Sequence, residues 1–273
     1  KDLFSKIFYK ETMEKMHKEI KANIKSPMGD LGGLDIQLFI PCYIDQLYPQ
    51  TGFNTIKVLE KAGCTVHYNP KQTCCGQPAF NSGYWKESAS MAEKFLTDFQ
   101  PNMPIVSPSG SCSSFVIHHY HKLLTDKPEL LERHAQIKNK IYELSDFLIN
   151  VLKVENLGAK FPHKVTFHDS CSALREYGIK DEPRKLLNQV DGLELIEMEE
   201  SDTCCGFGGT FAVKNKAIST AMVEKKVLNA LKTGVEYLVS TEASCLMNIN
   251  GYCNKHKLPL KGVHLSDILA SGL

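Results

Sequence analysis

The cysteines of this chain are written twice, and that repeat constrains its fold more than any other feature. In the first half, "QLFIPC" ends on Cys42, 31 residues lead to the adjacent pair Cys74-Cys75, and 36 more lead to Cys112 in "SPSGSC". In the second half, "VTFHDSC" ends on Cys171, 32 residues lead to Cys204-Cys205, and 39 more lead to Cys245 in "STEASC". Both pairs stand in T-C-C-G, and both final cysteines follow S-x-x-x-S. Each half closes on a related phrase, "ELSDFL" at 143–148 and "HLSDIL" at 264–269. Self-similarity of this kind marks one structural unit used twice. Cys64 and Cys253 fall outside the pattern and read as small buried hydrophobes.

The segments between the cysteines alternate between β-rich runs and helical periodicity. "LDIQLFI" at 34–40 predicts a strand that delivers Cys42 past its end, and "GFNTIKVLEKAG" at 52–63 predicts a helix stopped by Gly63. "CTVHYN" predicts a second strand before the loop of Cys74 and Cys75, 84–98 a helix, "MPIVSPSG" a strand and turn, and 140–152 a helix. The second half repeats the order: strands at 164–169 and 193–198, a helix in "PRKLLNQV", another over 214–232, and "VEYLVST" before Cys245. Such alternation predicts an α/β fold of two pseudo-symmetric units, each a parallel sheet flanked by helices. The cysteines then occupy loops at the strand carboxyl ends, where ligands of open α/β sheets gather. The predicted division is an N-terminal helical extension and linker over 1–33, a first domain over 34–155 and a second over 156–273. In the extension, Phe4, Ile7, Phe8, Met13, Met16, Ile20 and Ile24 form an apolar stripe with Lys-rich flanks.

Thirty-two Lys and Arg against thirty-one Asp and Glu leave a net charge of +1, so no overall field draws the chain to nucleic acid. No run of eighteen apolar residues predicts a transmembrane segment, and "KDLFSKIFYKETMEKMHKEI" has no signal-peptide core. A chain this long does not need disulfide staples, and neighbouring cysteines cannot easily bridge each other. The ten cysteines therefore point to a reducing, cytoplasmic setting with metal-bound thiolates. Four converging thiolates can hold zinc or an iron–sulfur cluster, and metal-free redox thiols are the third choice. Ligands drawn from three loops, two of them adjacent, suit a larger centre better than a compact C-x-x-C zinc knuckle. "GFGGTF" at 206–211 lacks the full nucleotide fingerprint, and its glycines read as close backbone approach to sulfur.

"TCCGQPAFNSGY" at 73–84, "SPSGSC" at 107–112, "FHDSC" at 167–171 and "CCGFGGTFAVK" at 204–214 resemble the phrases of the cysteine-rich CCG domain family. That family occurs in two copies in the cysteine-rich subunit of heterodisulfide reductase and in the iron–sulfur subunit of glycolate oxidase. The similarity is greatest to the branch serving L-lactate utilization, and it runs from about Leu34 to the end. It implies an iron–sulfur redox subunit that works with a ferredoxin-like iron–sulfur subunit and a third subunit to oxidise L-lactate, or a related 2-hydroxy acid, to the 2-oxo acid. Membrane association would come through those partners. One departure bears on the cofactor: the heterodisulfide reductase pattern ends in C-x-x-C, with five cysteines and a noncubane centre. Here Ser109 and Glu242 stand three residues before Cys112 and Cys245. Four cysteines per half fit a 4Fe-4S cluster at each site, or a cluster at one and zinc at the other. The alternative functions are a heterodisulfide or thiol–disulfide reductase subunit, and a zinc-bearing structural scaffold.

Around the eight cysteines, His168 and Asp169 are candidates to tune a cluster or handle substrate protons. Arg175 is a candidate to grip a small carboxylate with its two-pronged guanidinium. Ser109, Ser111, Ser240 and Ser244 are candidate hydrogen-bond donors to sulfur. Tyr84 and Trp85 read as packing residues. In "HHYH" at 118–121, His118 and His121 could share a helix face.

Overall fold

A computed structural model describes residues 33–273. The apolar stripe of the N-terminal extension lies outside them. In chain order, the first half runs β1 Leu34–Leu38, α1 Cys42–Leu47, α2 Pro49–Lys61, β2 Cys64–Tyr68, α3 Gln77–Asn81, α4 Trp85–Asp98, β3 Ile105–Ser107, α5 Gly110–Leu123, α6 Pro128–Ile137 and β4 Ile141–Glu143. A short α7, Leu144–Asp146, then runs into a π-helical turn at Phe147–Val151. The second half runs β5 Lys164–Phe167, a π-helical turn Ala173–Tyr177, α8 Asp181–Leu187, β6 Glu194–Leu195, α9 Thr210–Lys214, α10 Lys216–Lys232, β7 Tyr237–Ser240, α11 Ala243–His256, β8 Lys261–His264 and α12 Leu265–Leu269.

Each half builds a four-stranded parallel sheet, in the order β2-β1-β3-β4 and β6-β5-β7-β8. The order reverses between β1 and β3, and again between β5 and β7. At such a switch the loops leave a crevice at the carboxyl ends of the strands. Cys42 and Cys112 follow β1 and β3; Cys171 and Cys245 follow β5 and β7. The repeat therefore delivers two of its four cysteines to the lips of a crevice in each half, and the T-C-C-G loop after β2 or β6 adds the other two. Cys42, Cys112 and Cys245 fall in the first turn of the helix that follows.

One apolar core joins the halves. Ile36, Leu38, Val106 and Leu144 from the first pack in the same cluster as Val165, Phe167, Val239 and Leu265 from the second, each buried. The outer face of each sheet has its own cluster, under α4 and α5 on one side and under α10 and α11 on the other. The repeated L-S-D phrase seals the joint. Asp267 accepts from Thr51 Oγ1 (2.9 Å) and Asn54 Nδ2 (2.8 Å) on α2, and Ser266 Oγ accepts from Thr55 Oγ1 (3.0 Å). Its counterpart Asp146 accepts from the hydroxyl of Tyr177, 2.7 Å away in the opposite half.

The structure differs from the sequence expectation at several boundaries. The helix expected over 140–152 begins as the edge strand β4, because Ile141–Glu143 pairs with β3 before the chain turns into α7. Helix α6 has no counterpart among the expected elements; Pro128 at its start, with Glu129 in the first turn, sets it off, and buried His134 and Ile137 hold it down. The strand expected over 193–198 shortens to Glu194–Leu195, and the helix expected over 214–232 breaks at Asn215 into α9 and α10.

Glu143 caps α7 from a fully buried position. Its carboxylate accepts from the Ser145 N–H (2.7 Å) and the Ser145 hydroxyl. Burial pushes its carboxyl up to about 7, and the Ser145 hydrogen bonds only partly offset that. A folded value above the ordinary 4.5 means that Glu143 contributes stability fully below pH 4.5 and loses it as pH rises through 7. The span of 7 − 4.5 = 2.5 is worth on the order of 3 kcal/mol. Chemical denaturation at pH 5 and pH 8 should thus show a smaller loss for Glu143→Gln than for the unsubstituted chain. Equal losses would mean that Glu143 does not titrate in this window.

Candidate metal centre

All ten cysteines are free thiols. In the first half, Cys42 Sγ lies 3.5 Å from Cys74 Sγ, and Cys75 Sγ lies 3.5 Å from Cys112 Sγ. The backbone shapes the adjacent pair: Gly76 turns at φ 96°, and its N–H donates to Cys74 Sγ at 3.5 Å. The second half repeats the turn at Gly206, φ 80°, whose N–H donates to Cys204 Sγ at 3.3 Å. In both copies a serine from the next long helix locks the turn, Ser88 Oγ to Gly76 O (3.0 Å) and Ser219 Oγ to Gly206 O (2.7 Å). Tyr120 on α5 adds a hydrogen bond to Cys75 O at 2.8 Å, and Asn248 on α11 adds one to Cys205 O at 2.8 Å.

The first three thiols of each quartet are graded alike in the two halves. Hydrogen bonds from Cys42 and Cys75, helped by the Gly76 N–H, hold Cys74 far below the ordinary thiol range; Cys171, Cys205 and Gly206 do the same for Cys204. Cys42 and Cys171 are pushed up by donating to those sulfurs and by burial. Cys75 and Cys205 are also pushed up. Each quartet thus sets as a thiolate the member of the adjacent pair nearer the opening, and in the second quartet a hydrogen bond from Cys205 and the nearby His168 also lower Cys245, to about 5.

The two quartets face one cavity. All eight cysteines line a space of about 400 Å³, together with Ser109, Ser111, Tyr43, Phe207, Val213 and Glu242 among others. Tyr43 of the first half meets Phe207 of the second edge-on, with ring centroids 5.5 Å apart. The sequence places two similar sites in two halves; only the packing of the halves turns both towards a common space. Among the described residues the cavity lining carries a single carboxylate, Glu242. Eight soft sulfur donors with one carboxylate among them fit iron–sulfur clusters or zinc better than magnesium or calcium. The donor set and its graded thiols therefore fit the sulfur-ligated centres that the sequence suggests.

The other sequence candidates separate. His168 is fully buried at the second quartet; its Nδ1 faces Ser201 O at 3.3 Å, and its Nε2 has no hydrogen-bond partner. His168, Cys205 and Cys245 place one ligand atom each within 4.8 Å of one another. Asp169 is taken up elsewhere: Arg184 grips it with two bonds of 2.8 Å, and Ser201 Oγ donates at 2.8 Å. Burial alone would raise its carboxyl, but Arg184 and Ser201 hold it below the usual carboxylate range. Arg175 is not in the cavity lining; its guanidinium donates to Asp202 O at 3.2 Å. Gly178 ends the π-helical turn at Ala173–Tyr177, and Arg184, nine residues on, takes the buried role. Ser109 and Ser111 do reach the cavity, as does Ser244, whereas Ser240 Oγ donates to His168 O at 3.1 Å. Tyr84 and Trp85 are both 62 % exposed, with Trp85 stacked on Phe80. His118 and His121 join no cluster of metal-binding side chains among the described residues.

The family model for the cysteine-rich domain CCG matches residues 36–116 and 165–250, more than half of the chain and one copy per sheet. The chain belongs to the cysteine-rich CCG domain family. Among curated relatives, Lactate utilization protein A of Halalkalibacterium halodurans is 43% identical over 236 residues, covering 86% of this chain and 96% of the relative. Lactate utilization protein A of Bacillus licheniformis is 40% identical over 238 residues, covering 87% of this chain and 100% of the relative. A hypothetical protein from Helicobacter pylori shares the fold, with a TM-score of 0.60 at 15% identity over 95% of this chain; the match spans 54% of that protein. Both CCG matches take in the full cysteine quartets at their positions in this chain. No helix among the described residues is long and apolar enough to cross a membrane.

Proposed function

We propose that this chain is an iron–sulfur redox subunit in the oxidation of L-lactate, or a related 2-hydroxy acid, to the 2-oxo acid. Cys42, Cys74, Cys75 and Cys112 would hold one centre, and Cys171, Cys204, Cys205 and Cys245 the other. The observation that carries the reading is the convergence of both quartets on one cavity, in a chain whose relatives at about 40% identity are named for lactate utilization. When bound, iron–sulfur clusters supply one-electron storage and transfer. Four cysteines per half fit a 4Fe-4S cluster at each quartet, with zinc at one of them as the competing load. Oxidising a 2-hydroxy acid releases two electrons and two protons, and two one-electron centres on a common space match that count.

The chain's own residues prepare the site. Cys74 and Cys204 enter as thiolates, helped by the Gly76 and Gly206 N–H groups, and Tyr43 and Phe207 supply apolar surface beside them. Asp169 is held ionised by Arg184 and keeps Ser201, and with it the His168 ring, in place. The reading also takes 34–155 and 156–273 as the two functional units, and the cytoplasm as the setting. A ferredoxin-like iron–sulfur subunit and a third subunit would complete the complex and pass electrons towards the membrane.

The test is anaerobic quantification of iron, acid-labile sulfide and zinc, with electron paramagnetic resonance after reduction. The expected result is iron and sulfide at both quartets and a paramagnetic signal on reduction. Stoichiometric zinc at both, without sulfide, would end the proposal.

A further inference from the structure

The two halves can be aligned by equivalent hydrogen bonds as well as by cysteines. Directly after β1 the Phe39 N–H donates to Val106 O at 2.9 Å; directly after β5 the His168 N–H donates to Val239 O at 2.8 Å. Phe39 and His168 are therefore the same position in the repeat. Ser88 and Ser219 both lock the glycine of T-C-C-G. Seven residues further, two turns along the same helix face, stand Phe95 and Lys226. Behind the first quartet, Phe39 and Phe95 meet edge-on with centroids 5.0 Å apart, both buried. Behind the second, the same two places hold an imidazole and an ammonium, His168 and Lys226, 0 % and 1 % exposed.

Both are fixed by one carbonyl. Lys226 Nζ donates to Ser201 O (3.0 Å) and Glu200 O (2.5 Å), and His168 Nδ1 faces Ser201 O at 3.3 Å. The other ring nitrogen, Nε2, is left for Cys205 and Cys245 and has no other partner. Of the carboxylates that act on the ammonium, Asp169 is gripped by the Arg184 fork and Asp202 is exposed to water, so neither fully cancels it. A buried cation stabilises whichever state of its neighbour carries more negative charge, which for a metal–thiolate centre is the reduced state. An N–H donated from Nε2 to those sulfurs acts in the same direction.

We propose that the two centres form an ordered pair, with the second quartet at the higher reduction potential because His168 and Lys226 replace Phe39 and Phe95. This rests on the iron–sulfur reading above. One electron passing from the first centre to the second oxidises one by one unit and reduces the other by one; no cysteine bond is made or broken. His168 and Lys226 act as positioning residues, through the field at the cysteines.

The experiment is a mediated potentiometric titration of the full chain, loaded anaerobically and followed by electron paramagnetic resonance, with dithionite as reductant. Cys42→Ser leaves the second centre to be measured alone, and Cys171→Ser leaves the first. The second should be the easier to reduce by at least tenfold in the reduction equilibrium, about 59 mV for one electron. His168→Phe and Lys226→Met should each lower that potential and leave the first unchanged. Where a variant does not load, the unsubstituted chain still decides, grown with 15N-histidine. The signal that appears first on reduction should then carry coupling to a histidine nitrogen, and the later one should not. Equal potentials, the reverse order, or nitrogen coupling on the later signal would overturn the ordering alone. Absence of iron and sulfide would instead remove the reading on which it rests.

Discussion

Replacing Gly206 by Ala should empty the second quartet while leaving the first loaded. Gly206 turns at φ 80°, in the left-handed region where a side chain costs roughly 1–2 kcal/mol. It also sits against the start of α10. A Cβ there would lie 2.7 Å from Ser219 O and 2.9 Å from Met222 Cβ, so backbone would have to move. Overpacking of that kind adds about 1–3 kcal/mol, and the sum is on the order of 2–5 kcal/mol. The same shift pulls the Gly206 N–H from Cys204 and the Gly206 carbonyl from Ser219, so the loop that presents two sulfurs loses its shape. The matched control is Gly76→Ala. Its backbone strain is similar at φ 96°, but its nearest neighbour is the Ser88 hydroxyl at 3.0 Å, which can rotate away. Iron and sulfide per chain, read with the thermal midpoint, should fall further for Gly206→Ala than for Gly76→Ala. Full loading and an unchanged midpoint in Gly206→Ala would show that the turn does not set the ligand geometry.

The cysteine plan was legible because it is written in local, repeated words, and the parallel sheets because short β-rich runs alternate with helical periodicity. What escaped the sequence depends on which faces meet. Lys226 stands in "VEKKVLN", where two adjacent lysines read as a solvated face; it is buried because α10 packs over the T-C-C-G loop and offers it two carbonyls. Its equivalence to Phe95 emerges only from the matched Ser88 and Ser219 locks. Arg175 and Arg184 lie in one stretch, "REYGIKDEPR", and composition could not choose between them. The break at Gly178, φ 102°, does choose, since it puts the two arginines on separate helical segments and only Arg184 turns onto Asp169. His168 carried a signal of its own, as the residue three before Cys171 where the first half has Phe39. The shared cavity had none, because no local pattern encodes how two similar sheets dock.

Glu242→Ala should destabilise the joint between the halves more than any other change at the cavity, and Glu242→Gln should largely spare it. Glu242 belongs to the second half and is 2 % exposed, yet its partners lie in the first. It accepts from the Ser111 N–H at 2.6 Å, Ser111 Oγ at 2.8 Å and Ser109 Oγ at 3.1 Å, at the N-terminus of α5. Ser109 in turn accepts from the Cys112 N–H at 3.2 Å. Ser109 and Glu242 each stand three residues before the last cysteine of their quartet, and they are bonded to each other. Burial first, and then the nearby Cys245, push the Glu242 carboxyl up to about 8, so at neutral pH it is largely the uncharged acid. Gln reproduces that state and keeps a carbonyl oxygen for Ser111. Ala leaves the Ser111 N–H and one of the two hydroxyls without an acceptor, since Ser109 Oγ and Ser111 Oγ, 3.3 Å apart, can bond each other. Each lost acceptor costs roughly 1–3 kcal/mol when no water replaces it. A loss on the order of 3–5 kcal/mol follows for Ala, against about 1 kcal/mol for Gln. Because the folded value of about 8 exceeds the ordinary 4.5, the contribution of Glu242 is full at low pH and is lost as pH rises through 8. The Gln variant should therefore gain on the unsubstituted chain as the solution becomes alkaline. A double-mutant cycle with Ser109→Ala separates the bridge from the cap: coupling of about 0.5–3 kcal/mol is expected between residues in direct contact. Strict additivity would show that Ser109 and Glu242 do not tie one cysteine quartet to the other.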